Sequence, residues 1–241
     1  MVSVGFKTDK GMLRGGNEDS LFVLPEQQLY IVADGVGGHN SGELASRLTV
    51  GFIAQYVAIN KISNIRNERE LKRYFKTCLH GANELVRSKA EGDNVGMATT
   101  VVLCYLRDGK AYVVNVGDSR AYLMRDGVLR QISEDHTYVN EMVQRGVMTQ
   151  KEADDSPNRN MITRAIGAED DIKPDFFNFN TYPGDIIILC TDGLYGEAED
   201  DTIQLIASQS TTMHQLANDL VSTANSNGGH DNVSVVCIKI Q

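Results

Sequence analysis

Thr99–Gln131 reads TTVVLCYLRDGKAYVVNVGDSRAYLMRDGVLRQ. Its β-branched and aromatic runs are short, and Asp108-Gly109 and Asp126-Gly127 fall between them. Asp-Gly between two such arms is a strong hairpin signal, because the tightest hairpin turn needs positive φ at both of its central residues. Two hairpins in succession imply an antiparallel meander. They argue against a parallel βαβ chain, which needs a long crossover between strands.

Outward from this stretch, Gln28–Ala33 (QLYIVA), Asp185–Cys190 (DIIILC) and Val233–Ile240 (VSVVCIKI) have the same character and read as further strands. Helical spacing joins Leu44, Leu48, Phe52 and Tyr56, with Ser41 as candidate N-cap and Glu43 in the first turn. It joins Leu71, Phe75, Cys78, Ala82 and Val86, and it returns over about 200–208 and 213–224, ending before Asn227-Gly228-Gly229. Helix pairs beside an antiparallel meander predict an α+β protein of two packed sheets with helices on their outer faces. Four prolines, no Ser/Gly-rich linker and no repeat predict one domain over 1–241. From about 135 to 167 the periodicity weakens and the chain turns polar, which predicts a surface excursion close to the functional site.

The charge balance limits the function. The chain has 32 acidic and 23 basic residues, a net charge of −9, which disfavours nucleic acid or an anionic membrane as partner. No apolar run reaches the ~18–20 residues of a membrane span. The first ten residues lack a signal-peptide core, and Cys78, Cys104, Cys190 and Cys237 form no CxxC pair. A reducing cytoplasm is the expected compartment, with three of the thiols, Cys104, Cys190 and Cys237, buried in strand-like runs. No cysteine is followed six positions later by arginine, and no GxxxxGK[ST] occurs; these absences remove the cysteine-nucleophile phosphatase loop and the P-loop.

The acids carry the chemistry. Asp34 follows YIVA and precedes Gly35, Asp118 follows VVNVG, Asp192 follows IIILCT and precedes Gly193, and Asp231 lies in GGHDN just before VSVVCIKI. Each stands at a strand end beside glycine, where backbone and carboxylate can approach one ion. Asp108 and Asp126 have the same Asp-Gly pattern but read as hairpin turns. The other four, with Glu18-Asp19, would repel one another if left unpaired, so a cation is the natural partner. Oxygen ligands without a histidine cluster favour Mg2+ or Mn2+ over zinc or copper.

In order, Arg14-Gly-Gly-Asn17-Glu18-Asp19, Asp34-Gly35-Val36-Gly37-Gly38-His39, Ala98-Thr99-Thr100, Asn115-Val116-Gly117-Asp118-Ser119-Arg120, Asp192-Gly193 and Gly229-His230-Asp231-Asn232 span nearly the whole chain. This ordered set resembles the type 2C metal-dependent serine/threonine protein phosphatases, in their short bacterial form. The resemblance implies a four-layer αββα sandwich with two divalent ions. Asp34 would bridge them, Asp192 and Asp231 would complete one, the Gly35 carbonyl would reach the other, and Glu18 and Asp19 would act largely through water. Bacterial relatives often add a third ion, which Asp118 would hold with Asp192. Arg14 matches the phosphate-gripping arginine, and the 135–167 excursion matches the flap over the cleft. Phosphorylated proteins would be the substrates and a serine/threonine kinase the counterpart.

That reading implies in-line attack on phosphorus by a metal-activated water, without a phosphoenzyme. The leaving alkoxide needs a proton. Many eukaryotic relatives have histidine directly after the bridging Asp-Gly, where this chain has Val36. His39 is the nearest candidate acid, although it also reads as a helix-entry residue, and His136 and His230 are weaker candidates. Two rivals differ in class. A metal-dependent phosphodiesterase needs a basic track that this chain lacks, and a non-catalytic phosphoprotein-binding module would be expected to have lost one of Asp34, Asp192 or Asp231.

Overall fold

The computed structural model describes residues 2–37 and 41–241. The chain forms β1 (Val2–Asp9), β2 (Ser20–Leu24), β3 (Leu29–Ala33) and the short β4 (Gly35–Val36), then α1 (Ser41–Ile59) and α2 (Glu68–Lys89). The short β5 (Ala98–Thr99) leads into β6 (Val101–Arg107), β7 (Lys110–Val116), β8 (Arg120–Arg125) and β9 (Val128–Gln131). Helices α3 (Tyr138–Gln144) and α4 (Gln150–Asp154) follow, then β10 (Asp175–Asn180) and β11 (Ile186–Cys190). The chain continues through α5 (Asp192–Tyr195), α6 (Asp200–Gln209), α7 (Met213–Asn227) and β12 (Val233–Ile240).

Two antiparallel sheets result, one ordered β1-β12-β11-β8-β9 and the other β10-β7-β6-β3-β2. The central strands are buried on both faces, which is why they read as continuous apolar runs. In β3, Leu29, Ile31 and Ala33 pack under α1 and α2, while Tyr30 and Val32 face the other sheet. In β11, Ile186, Ile188 and Cys190 pack under α6 and α7, while Ile187 and Leu189 face inward. Three apolar layers therefore separate helices, sheet, sheet and helices, the four-layer sandwich expected from the sequence. All four cysteines are free and buried within these layers.

Both Asp-Gly turns form. Asp108 and Gly109 take φ of 51° and 72°, and Asp126 and Gly127 take 52° and 81°, closing β6 on β7 and β8 on β9. The hairpins do not make one continuous meander, however, because β6–β7 lies in one sheet and β8–β9 in the other. The chain changes sheet at Gly117-Asp118-Ser119. Gly117 makes the bend at φ 103°, and a Cβ there would stand 2.6 Å from Thr100 Cγ2. β1, β2 and β10 are sheet strands that the apolar-run reading did not find. Ser41 differs from expectation as well: it is the first residue of α1, and its hydroxyl donates to the Asp93 carbonyl at 3.1 Å.

Candidate metal centre

The sandwich brings acids from both sheets to one rim. Asp34 links β3 to β4, Asp118 occupies the sheet crossing, Asp192 opens α5 after β11, and Asp231 precedes β12. Glu18 and Asp19 precede β2, and Arg14 lies in the β1–β2 loop.

Backbone hydrogen bonds fix Asp34. Its carbonyl accepts from Thr99 Oγ1 at 2.7 Å and from the Thr100 N–H at 2.8 Å, and its N–H donates to Thr100 Oγ1 at 2.9 Å. Thr100 Oγ1 also lies 2.6 Å from Ser119 Oγ, which ties the Asp34 strand end to the crossing that carries Asp118. Across the sheets, Asp19 Oδ2 accepts from Thr191 Oγ1 at 2.9 Å, beside Asp192. Asn232 fastens the Arg14–Glu18 loop. Its Nδ2 donates to the carbonyls of Lys10 and Gly16, both at 2.9 Å, and its Oδ1 accepts from the Glu18 N–H at 2.7 Å.

The side chains meet as hydrogen-bonded and ion-paired partners. The Asp34 carboxyl lies close enough to Asp192 to feel its charge. Arg14 donates through Nη2 to Asp231 Oδ2 at 2.7 Å and through Nε to the His230 carbonyl at 3.3 Å. Among the described residues, no three or more His, Cys, Asp or Glu side chains close into a ready metal cage. The donor set nonetheless fits a hard cation. Asp19 Oδ1 and Asp192 Oδ1 are buried without a hydrogen-bond partner. A Cβ on Gly42 would stand 2.0 Å from Glu18 Oε2 and 2.7 Å from the Gly35 carbonyl oxygen, so two further oxygens converge over the first turn of α1.

The electrostatics agree. Burial, followed by the charges of Asp19, Asp192 and Asp118, holds the Asp34 carboxyl well above the usual carboxylate range. Burial, followed by Asp192 and Asp135, pushes Asp118 up to about 7. Burial also raises Asp19 to about 7 against the hydrogen bonds of Ser234 and Thr191, and it raises Asp192 and Glu18. A positive ion would relieve all of these at once.

The candidate acids divide. His39 lies outside the described residues. His230 is exposed, with Nδ1 held 2.7 Å from Glu197 Oε1, and it borders the cleft. His136 is buried and structural: Nδ1 accepts from the Gly117 N–H at 3.0 Å, so Nε2 carries the proton and donates to Asp175 Oδ2 at 3.0 Å. Burial lowers its pKa, consistent with a neutral ring.

A cleft of about 910 Å3 opens beside the acids. Asp118, Asp192 and Asp231 line one side, and Thr137, Asn140 and Ala153 of the 135–167 excursion line the other. Arg120, Asp135, Tyr195 and Asn232 are site-supporting residues to which the sequence reading gave no role. Asn232 and Arg120 had a signal, since they close the Gly229–Asn232 and Asn115–Arg120 motifs; Asp135 and Tyr195 had none.

The family described as Protein phosphatase 2C matches residues 15–232. The chain is 32% identical over 239 residues to serine/threonine phosphatase stp of Listeria monocytogenes, covering 97% of this chain and 94% of that relative. The serine/threonine phosphatase of S. agalactiae superposes with a TM-score of 0.92 at 27% identity, covering 100% of both chains. The catalytic domain of serine/threonine protein phosphatase PstP, solved in complex with 2 manganese ions, superposes with a TM-score of 0.85 at 31% identity, covering 99% of this chain and 97% of that one.

Proposed function

The chain belongs to the protein phosphatase 2C family and is a metal-dependent protein serine/threonine phosphatase using Mn2+ or Mg2+, and we propose how its residues divide the work. Asp34, Asp192, Asp231 and the Gly35 carbonyl would hold two ions, Glu18 and Asp19 would support them largely through water, and Asp118 with Asp192 would hold a third. The bound ions supply an activated water and neutralise charge on the phosphoryl oxygens.

Arg14 is more than half exposed and anchored at Nη2 and Nε, which leaves Nη1 for a phosphoryl oxygen among its described partners. A planar guanidinium is suited to that grip because it can donate to the phosphate while keeping its anchor. The 135–167 excursion walls one side of the cleft. His39 is our assignment for the proton that the departing seryl or threonyl oxygen requires. The whole of 1–241 acts as one catalytic domain. No helix among the described residues is long and apolar enough to cross a membrane, and with the net charge of −9 this supports a cytoplasmic enzyme that opposes a cognate serine/threonine kinase.

One observation supports the site assignment above the rest: Asp19 Oδ1 and Asp192 Oδ1 are buried without a hydrogen-bond partner, in an acid cluster at a cleft open to substrate. The test is turnover of a phosphothreonine peptide and of para-nitrophenyl phosphate with Mn2+, beside a bis-ester and a chelator control. Hydrolysis of both monoesters, abolished by chelator, is expected. Preference for the bis-ester would favour a phosphodiesterase, and ion binding without turnover would favour a non-catalytic module.

A further inference from the structure

The 135–167 excursion is rooted beside Asp118 by two adjacent residues. At Gly117, where the chain changes sheet, the N–H donates to His136 Nδ1 at 3.0 Å. The Gly117 carbonyl accepts from the His136 N–H at 3.0 Å and from Asn115 Nδ2 at 3.0 Å. Gly117 is thus held at both its N–H and its carbonyl, largely by one flap-root histidine. The carbonyl after it accepts from Tyr195 Oη at 3.0 Å. The Arg120 guanidinium lies over that tyrosine ring, 3.6 Å from its centroid. The same guanidinium forks onto Asp135, with Nε 3.0 Å and Nη2 2.6 Å from Oδ2.

The far end of the excursion closes on the same anchor. Arg164 Nη1 donates to Asp175 Oδ1 at 3.2 Å, and Asp175 is the carboxylate that receives His136 Nε2–H. Asp118 itself is only 5% exposed and is repelled by Asp192 and Asp135, so its direction depends on restraints from outside the acid cluster.

We propose that Asp135 and His136 are positioning residues for the phosphatase reaction: held to Gly117 and, through Arg120 and Tyr195, to the Asp118 carbonyl, they aim Asp118 and tie the seating of the flap to that carboxylate. This rests on the reading of Asp118 as the acid of the outer ion. Force applied to the flap by a docked phosphoprotein reaches Asp118 through two rigid contacts, one on each side of it.

The experiment compares His136→Leu, His136→Asn and Arg120→Lys, alone and with Asp118→Ala. Asparagine can place Oδ1 where Nδ1 lies and keep the Gly117 bond while losing the bond to Asp175; lysine keeps the charge of Arg120 but loses the fork and the stacking. In the metal-free protein, the Gly117 amide should exchange about tenfold faster in His136→Leu and at about the native rate in His136→Asn. On a phosphothreonine peptide with Mn2+, His136→Leu should lower kcat about tenfold with KM within about twofold, and His136→Asn should recover most of that loss. In the Asp118→Ala background, His136→Leu and Arg120→Lys should each cost less than about twofold more, because the group they position is gone.

Should His136→Leu not fold, Arg120→Lys and His136→Asn give the same comparison. The proposal is overturned if Gly117 exchange is unchanged in His136→Leu, if His136→Asn loses Gly117 protection and kcat as a side-chain deletion would, or if Arg120→Lys costs its full factor again on Asp118→Ala. Full activity of Asp118→Ala alone would instead remove the outer-ion reading, while the exchange data would still decide whether His136 holds Gly117.

Discussion

Replacing Asp118 with asparagine should make the metal-free protein more stable and the loaded enzyme less active. Burial and then the charges of Asp192 and Asp135 carry the Asp118 carboxyl from 3.8 to about 7. The folded protein holds this proton more tightly than the unfolded chain does. The resulting stabilisation is fully present below the unfolded value of 3.8 and is lost as pH rises through the folded value of about 7. At about 1.4 kcal/mol per pKa unit, keeping Asp118 ionised in the empty site costs about 4 kcal/mol at pH 8. Asparagine is isosteric with the protonated acid and carries no such cost. The two proteins should therefore melt together near pH 4 and separate as pH rises, the variant melting about 10 °C higher at pH 8 in chelator, at about 2–4 °C per kcal/mol. Differential scanning fluorimetry across pH measures this directly. Saturating Mn2+ should narrow the gap, because ions that bind only the native state stabilise the wild type. Phosphopeptide turnover by the variant should fall at least about tenfold. Coincident melting at pH 8 in chelator, or a gap equal at pH 5 and pH 8, would refute the electrostatic account of the site.

Four further substitutions test the remaining parts. Asp34→Asn should keep the fold, melt higher than the wild type at pH 8 in chelator for the same reason as Asp118→Asn, and lower kcat at least about a hundredfold at saturating Mn2+, since a neutral amide is a poor ligand for a divalent ion. Asp231→Asn should also lose activity but regain part of it in excess Mn2+, because it serves one ion; titrating the metal against turnover checks this. Arg14→Ala should raise KM for phosphopeptide several-fold with a smaller fall in kcat, read from steady-state kinetics. Asn232→Ala leaves the Lys10 and Gly16 carbonyls and the Glu18 N–H without their partner and should cost about 2–3 kcal/mol by denaturant titration, with weaker metal binding.

The layered architecture was legible because its central strands are buried on both faces and so carry unbroken β-branched runs; Val233–Ile240 matches its run at both ends. The edge strands were not. β1 (VSVGFKTD) and β10 (DFFNFN) mix polar and apolar residues and depend on neighbours that local sequence does not name. The two hairpins were readable from Asp-Gly, but a hairpin signal is local and cannot say which sheet its arms join, so the switch at Gly117 appears only in three dimensions. The acids of the site were visible as Asp beside Gly at strand ends. The scaffold that aims them was not, because Asn232 reaches Lys10 and Thr191 reaches Asp19 across most of the chain, at separations that leave no periodic trace.

The pairing of β1 with β12, Val2 against Ile240 through Asp9 against Val233, bears on the order of assembly during folding. The hairpins β6–β7 and β8–β9 close over two-residue turns and can zip early, whereas the β1–β12 ladder must first close a loop nearly as long as the chain. β12 lies between β1 and β11, and Asp231 stands just ahead of it. Refolding should therefore show secondary structure in a fast phase and catalytic competence only in the slow one, when the last long-range ladder forms and delivers Asp231 to its partners.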